Sequence, residues 1–417
     1  MTTLLRTTPL SSSRLQMLFS RLLPESDSAR RLLPMVFLQA MGFGAITTIS
    51  VVYGSRFLGF SNAQVGVGLS VAFTLGLAMG VPFGHLADRR GPRGLLMVLL
   101  AAEAISLAGY LFVSSWWSFL CAITAYQLFD RAANAVRGAM VAKMLPASEQ
   151  ATVRSYFRAV GNIGSAIGAL GVGVALHLDT QMAYKVVVLA CALGYGLAAL
   201  SLSIIGAVPP VPVALRAAFG TALRDRRYMA FAALNMVLTL HYAVLEVAMP
   251  LWIIQQTQAP RYLVTALFLI NTLFVICLQV QVGKRIDGVD SAQRATLISG
   301  LVFFGACLCF GLSASATATV AVLLLITAGV LHVLGEMAQS AGAFTLAYEL
   351  SPPNAHGQYQ GLFSTSSSAG LMLGSSVIGL IVLDHGLAGW LTVGTVFAIA
   401  GFSARLLSAS PRLGASG

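Results

Sequence analysis

Long apolar runs separated by short charged segments dominate the chain. Twelve runs are long enough to cross a bilayer, since about 20 residues of helix span its ~30 Å hydrocarbon core. The runs lack the strict apolar and polar alternation of a membrane barrel, so helices are predicted. The predicted spans are 32–54, 62–84, 94–114, 116–140, 155–177, 183–206, 228–254, 262–283, 294–313, 316–345, 357–383 and 387–407.

One segment in the middle of the chain interrupts this pattern. Pro209, Pro210 and Pro212 prevent a continuous helix there, and four arginines follow them. The interruption divides the predicted helices into two sets of six. The predicted organisation is a tail at 1–31, a six-helix bundle at 32–206, a linker at 207–227, a second six-helix bundle at 228–407 and a tail at 408–417.

The two bundles repeat one another in sequence. Residues 134–173 align with 340–379 after a shift of 206 positions without a gap. Duplicated halves of a membrane protein are related by a pseudo-two-fold axis along the membrane normal, with a small-molecule site near the midplane between them. The matching pairs include Pro146 with Pro352, Phe157 with Phe363, Gly164 with Gly370, and Gly168 with Gly374.

Composition indicates that lipid surrounds most of the chain. Of 417 residues 57% are hydrophobic and 9% charged, whereas about 25% are charged in soluble domains. The net charge of +11 lies in the loops, which argues against nucleic-acid binding. With residue 1 in the cytoplasm, 20 of the 25 lysines and arginines fall on the cytoplasmic side. We therefore expect a multi-pass protein of the plasma or inner membrane with both termini cytoplasmic.

A charged turn between predicted helices two and three carries the most specific motif. Residues 84–93 read GHLADRRGPR, and a shorter version follows at 283–287. Gly76, Gly80 and Gly84 fall four apart, so a neighbouring backbone can approach this face closely. In this position the pattern G-x-L-A-D-R-x-G-x-R resembles the loop between helices two and three of the major facilitator superfamily of secondary transporters.

The resemblance implies an all-α membrane protein with 12 transmembrane helices in two pseudo-symmetric six-helix bundles. It implies alternating access, a monomer, and a cavity lined by helices one, four, seven and ten. It also implies that Asp88 lies below the N-terminus of helix eleven, near Gly357, where the helix dipole favours a carboxylate. Gly84, Asp88, Arg89 and Arg93 would form a latch there, with both arginines sharing the carboxylate.

Four carboxylates lie inside predicted spans. A charge at the bilayer centre is costly, so Glu103, Asp130, Glu246 and Glu336 are candidates for function. Asp130 and Glu336 are related by the shift of 206. Arg131 resembles an arginine typical of helix four in this family. Asp130 and Arg131 are either a proton-linked or substrate-contacting pair, or a neutralised pair that holds helix four to its neighbours.

Proton carriage is predicted mainly for the second bundle. His332 and Glu336 lie four apart on one helical face, so they form either a proton relay or a hydrogen-bonded pair. The two residues are too few for a metal site. The resemblance favours Glu246 and Glu336 as proton carriers, and it places Glu103 on a peripheral helix.

Helix five combines arginines with small residues. Arg154, Arg158 and Asn162 share one face; Arg158 is expected to meet substrate or a carboxylate, and Arg154 to extend to the cytoplasmic surface. The adjoining glycines are expected to pack across the two halves. The predicted cavity residues are Gln39, Arg131, Arg158, Asn162, Asn235 and His241. The predicted packing glycines are Gly76, Gly80, Gly164, Gly168, Gly370 and Gly374.

The function expected from these features is proton-driven efflux of small amphipathic or apolar molecules, because few charges are expected in the cavity. The helix-five glycines partly resemble the signature of drug–proton antiporters, but its Gly-Pro pair is absent. A proton symporter or uniporter for nutrient uptake is the first alternative. An intramembrane enzyme is less favoured, since the sequence has no H-E-x-x-H, G-x-S-x-G or G-x-x-x-x-G-K-[ST] motif. A transporter-like sensor is also less favoured, because no soluble signalling domain is expected from the sequence. No cofactor is expected besides the proton gradient.

Overall fold

The computed structural model describes residues 24–406, which are almost entirely helical. The parts of the predicted tails at 1–23 and 407–417 lie outside the described residues. The helices are α1 Asp27–Arg56, α2 Asn62–Leu77 continued by Gly80–Arg90, α3 Pro92–Tyr110, α4 Trp116–Met144, α5 Ala147–Leu178, α6 Gln181–Ser201, α7 Arg226–Gln256, α8 Leu263–Lys284, α9 Gly288–Leu312, α10 Ala318–Glu349, α11 356–385 and α12 387–406.

Three irregularities interrupt the helical regions. The two parts of α2 are bent by 42° relative to each other. In α7 a π-helical turn at Val244–Ala248 surrounds Glu246, and such turns are frequent at functional sites. Gly386 separates α11 from α12, because its positive φ of 57° turns the chain. The order and length of the helices agree with the twelve predicted spans.

Most of the described helices are suited to a lipid environment. Eight are long and apolar enough to cross a membrane on their own, and the bent α2 would be a ninth. The hydropathy of α4 is lowered by Asp130, Arg131 and Arg137 in its middle, and that of α11 by a run of serines. Such a number of membrane-length helices identifies an integral membrane protein.

Each half of the chain has its own apolar core. One cluster of buried side chains runs from Ala29 to Ile205, joined by Tyr348 of α10. A second runs from Leu238 to Ala400. Because most apolar burial lies within a half, a relative movement of the two halves would leave most of each core intact.

The halves are in close contact at the end of the helices that carries residues 84–93, which we call the motif end. There α2 and α11 cross with backbones touching, Gly80 against Gly361 and Gly84 against Gly357. A methyl group on Gly84 would overlap the Gly357 carbonyl. This crossing therefore depends on residues without side chains.

The other predicted packing glycines also lie at helix contacts. Gly76 faces α4, and Gly370 and Gly374 face α7. Gly164 and Gly168 were expected to pack across the halves, but they pack against α1 within the first half. The periodicity of helix five correctly grouped these glycines, and the helix is rotated so that this face meets α1.

The linker lies across the motif end and contacts both halves. The backbone N–H of Val211 donates to the Asp88 carbonyl at 2.8 Å. On the other half, the buried Gln358 side chain accepts from the Gly220 N–H at 2.8 Å and donates to the Ala218 carbonyl at 2.9 Å. The linker therefore adds to the contacts that hold the motif end closed.

We expect Gly84→Ala to lower the rate of the transport predicted from the sequence roughly 5–150-fold, because an added carbon in this packed contact should destabilise the close contact of the halves at the motif end by about 1–3 kcal/mol. Gly94→Ala is the matched control, since nothing lies within 4 Å of a carbon added there. Transport by both variants would be measured per amount of folded protein in the membrane. Equal rates would show that the α2–α11 crossing does not need to close this tightly.

Candidate functional site

A cavity of about 890 Å³ lies between the two halves. Helices α1, α4 and α5 form one wall, and α7, α8, α10 and α11 the other. Helices one, four, seven and ten were expected here, and five, eight and eleven also contribute. The polar and aromatic lining includes Gln39, Phe43, Asp130, Arg131, Asn134, Arg137, Arg154, Phe157, Arg158, Asn162, Asn235, Tyr242, Glu246, Phe268, Asn271, Glu336, Gln339, Phe344, Phe363 and three serines of α11.

Four arginines and three carboxylates line this cavity, so the expectation of few charges was wrong. Arg154 was expected at the cytoplasmic surface, but its guanidinium stacks over the Phe344 ring at 5.1 Å. Arg137 also faces inward, where its side chain donates to the oxygens of Gln39 and Asn134. The cavity is therefore a strongly polar one, with aromatic rings between its charges.

An ion pair joins the two halves at mid-depth. Arg158 of α5 binds Glu336 of α10, with 13% and 3% of the side chains exposed, so water screens the pair weakly. Glu336 also accepts a hydrogen bond from Asn271 at 2.6 Å. Arg158 lies over the Tyr242 ring at 5.3 Å. Arg158 thus meets a carboxylate, one of the two partners expected for it.

The histidines near Glu336 lie behind the cavity wall. His332 Nδ1 is 3.9 Å from Glu336 Oε2, and its Nε2 lies 3.0 Å from the His241 carbonyl. His241 was expected at the cavity, but it is fully buried and stacks on Phe303 at 4.7 Å. Helix α7 turns this residue toward α9 and α10, so it is not among the lining residues.

These two histidines and Glu336 have donor atoms within 4.8 Å of one another. In a tetrahedral zinc site, metal bonds of ~2.0–2.1 Å bring ligand atoms to about 3.4 Å. Glu336 is already bound to Arg158 and Asn271. The separations of up to 4.8 Å and the existing partners of Glu336 do not match a preformed zinc site.

A second charged group lies on α4. Arg131 is 3.4 Å from Asp130 and donates to Ser368 of α11 at 2.8 Å. Its guanidinium also lies over the rings of Phe43 and Phe73, at 5.8 and 5.6 Å. Arg131 therefore contacts both halves, and any change in their relative position must alter its contacts.

The remaining predicted residues differ in exposure. Glu246, at the π-helical turn of α7, is exposed to the cavity, and no ion pair to it occurs among the described side chains. Asn162 is half-buried in the wall. Asn235 donates to serines of α11 at 2.9 and 3.0 Å and thereby ties α7 to α11. Glu103 is fully buried on α3, outside the cavity wall.

The Asp88 carboxylate predicted to form a latch lies at the start of α11, as the resemblance implied, but with a different cation beside it. The Asp88 carboxylate accepts hydrogen bonds from the backbone N–H groups of Gly357 at 3.0 Å and Gln358 at 3.3 Å. Its ion-pair partner is Lys143 of α4, at 3.5 Å. The carboxylate thus joins α2 and α4 of the first half to the start of α11 in the second.

The two arginines predicted for the latch do not share this carboxylate. Arg93 instead donates to two backbone carbonyls at the end of α6, at 3.0 Å each. Arg89 is exposed. Lys143 reaches Asp88 from the neighbouring helix and replaces them as the nearby positive charge.

Lys143 and the serines of α11 are site residues that sequence reasoning missed. Lys143 lies 55 positions from Asp88, and no local pattern connects the two. The serines did carry a signal, because a polar stretch within a membrane-length helix indicates a face turned away from lipid. Their sequence, FSTSSS at 363–368, is readable without a structure.

The family model of the Major Facilitator Superfamily matches residues 32–375. This chain belongs to that family. The multidrug resistance protein MdtH of Aeromonas hydrophila subsp. hydrophila is 25% identical over 358 residues, which cover 81% of this chain and 85% of MdtH. Family membership and the cavity between the halves identify an integral membrane transporter of small molecules.

Solved structures show the same facilitator fold. A bacterial homologue of the iron transporter ferroportin, in an outward-facing state, has a TM-score of 0.72 and 11% identity, covering 92% of this chain and 98% of that one. The E. coli fucose:proton symporter FucP has a TM-score of 0.68 and 14% identity, also covering 92% and 98%. At these identities the likeness establishes the fold, which confirms the predicted fold class.

Proposed function

We propose that this facilitator exports small amphipathic molecules in exchange for protons. The observation that carries the proposal is the buried Arg158–Glu336 pair between the halves, with the exposed carboxyl of Glu246 in the same cavity. The printed name of MdtH, a multidrug resistance protein, supports export. The proton gradient would supply the energy for transport, and no cofactor would be required.

The geometry supports a simple coupling mechanism. While Glu336 is ionised, it attracts Arg158 and holds the halves together at mid-depth. A proton delivered through the cavity to Glu336 removes its negative charge and weakens this attraction. The halves are then free to rock once the Asp88 latch at the motif end opens.

The direction of opening follows from the charge distribution. The named contacts between the halves lie at the motif end and at mid-depth, so the cavity is closed on that side. The lysine- and arginine-rich loops at the motif end belong in the cytoplasm. We therefore propose that this is an outward-facing state of a monomer in the plasma or inner membrane, with both termini in the cytoplasm.

Everted membrane vesicles test this function. We expect energised vesicles that contain the protein to accumulate fluorescent amphipaths such as naphthalene derivatives above the level of vesicles without it. A protonophore should abolish the difference, and removal of ATP should not when respiration maintains the gradient. Accumulation only in right-side-out vesicles, with protons moving inward alongside, would replace export by symport.

A further inference from the structure

We propose that the floor of the cavity, at Arg154, Phe344 and Arg137, binds the carboxylate of an amphipathic organic anion. This inference rests on the proposed transport function and names its substrate class. Arg154 and Phe344 come from opposite halves, so the anion would lie where the two halves meet.

Ion pairing leaves an excess of positive charge in the cavity. Of the four lining arginines, Arg131 is paired with Asp130 and Arg158 with Glu336. The other two, Arg137 and Arg154, form no ion pair with a carboxylate among the described residues. Unpaired guanidinium groups away from bulk water attract an anion more strongly than groups at the protein surface.

Arg154 is positioned to receive such an anion. It lies seven residues after Ala147, the start of α5, which places it about 10 Å from the motif end at ~1.5 Å per residue. Its guanidinium stacks on Phe344, and no hydrogen bond from it to another described residue occurs. Stacking fixes the plane of the guanidinium and leaves its edge free for the two parallel hydrogen bonds that a carboxylate accepts.

Arg137 adds to the positive electrostatic potential at this floor. Its side chain is held by the oxygens of Gln39 and Asn134, which are neutral groups. It lies within electrostatic range of Arg154 and also of Asp130 and Glu103, which offset part of its charge. Arg154 is therefore the expected direct contact, and Arg137 supports it from the α4 wall.

The rest of the cavity suits an apolar body on that anion. Aromatic rings line both walls, and cavities of this volume hold drug-sized ligands. The unpaired lining carboxylate, Glu246, lies 20 residues after Arg226, the start of α7 at the motif end. At ~1.5 Å per residue it is about 30 Å along its helix, far beyond the depth of Arg154. A cation would therefore be drawn toward Glu246, and an anion toward the floor.

Equilibrium binding to the purified full-length protein tests this inference without any assumption about proton coupling. The probes are 1-naphthoate, its neutral isostere 1-naphthamide, and 1-naphthylmethylammonium. We expect the naphthoate to bind about tenfold or more tightly than the amide, and added salt to weaken that preference. Equal binding of naphthoate and amide, or tightest binding of the ammonium probe, would overturn the proposal.

Arginine variants test whether the cavity floor causes the preference for naphthoate over naphthamide. Arg154→Gln should remove the discrimination between naphthoate and naphthamide, and Arg154→Lys should retain part of it, since lysine keeps the charge but not the planar fork. Arg294→Gln, which removes an exposed arginine of α9, is the matched control and should bind both probes as the parent does. Undiminished discrimination in a folded Arg154→Gln protein would place the anion elsewhere and overturn the assignment.

The two proposals fail in different ways. If vesicles show no proton-driven export but naphthoate still binds through Arg154, the proposed function is wrong and the anion site remains. If export is proton-driven and the purified protein binds the amide as tightly as the naphthoate, the anion site is wrong and the proposed function remains.

Discussion

Asp88→Asn is expected to lower the transport rate at least about tenfold while membrane insertion stays normal. The carboxylate joins the two halves, because it lies on α2 and accepts hydrogen bonds from the Gly357 and Gln358 N–H groups at the start of α11. Hydrogen bonds to a charged group contribute about 1.5–3 kcal/mol each. Asparagine retains one acceptor oxygen but loses the charge that Lys143 and the helix dipole stabilise.

The substitution should destabilise only one conformational state. The hydrogen bonds of Asp88 require the motif end to be closed, so the substitution destabilises that state and leaves each half intact. A cysteine introduced into the cavity should therefore react faster in Asp88→Asn with a thiol reagent added on the motif side. Transport would be measured in the same vesicles, with the amount of inserted protein as the reference.

The repeated motif provides a matched control for this experiment. Asp287 occupies the corresponding place in the shorter motif of the second half. It is exposed and precedes α9, and its side chain forms no capping hydrogen bond to that helix. Asp287→Asn should therefore transport at the parent rate. A similar loss in both variants, or no loss in Asp88→Asn, would contradict the role of the latch.

The sequence predicted features that depend on the order of residues along one helix. The twelve spans follow from the length of each apolar run, and the repeat from direct alignment of 134–173 with 340–379. The latch position followed from the family resemblance, and the structure places Asp88 against Gly357 accordingly. Each of these predictions needed no knowledge of how one helix is rotated against another.

The errors concern helix rotation and distant partners. Periodicity showed that Arg154 and Arg158 share a face, but only packing shows that this face lines the cavity. His241 was predicted to line the cavity because the family resemblance places helix seven there, but the structure turns this side chain toward α9. Lys143 meets Asp88 only after α2 and α4 pack together. A single helix carries no information about such contacts.

The second large effect is expected for Glu336→Gln. Removing one member of a buried ion pair leaves the other charge uncompensated, at a cost of about 3–5 kcal/mol. Arg158 would then have no carboxylate partner across the halves, although Asn271 and the new amide remain nearby. We expect proton-driven transport to fall roughly 100-fold or more.

Exchange measurements separate coupling from structural damage. If Glu336 carries the proton, Glu336→Gln should still exchange labelled for unlabelled substrate across vesicles without a gradient, because exchange requires no net proton movement. Glu149→Gln, at the start of α5 and outside the cavity lining, is the control and should retain both activities. Loss of exchange together with lower thermal stability would instead assign Glu336 a structural role.

The double variant Arg158→Gln/Glu336→Gln resolves these two outcomes further. Removing both charges avoids an uncompensated buried ion, so the protein should recover most of the thermal stability lost by Glu336→Gln alone. Its transport should nevertheless stay uncoupled from protons, because the charge pair that responds to protonation is gone. Coupled transport in the double variant would show that Glu246, exposed in the same cavity, carries the proton without Glu336.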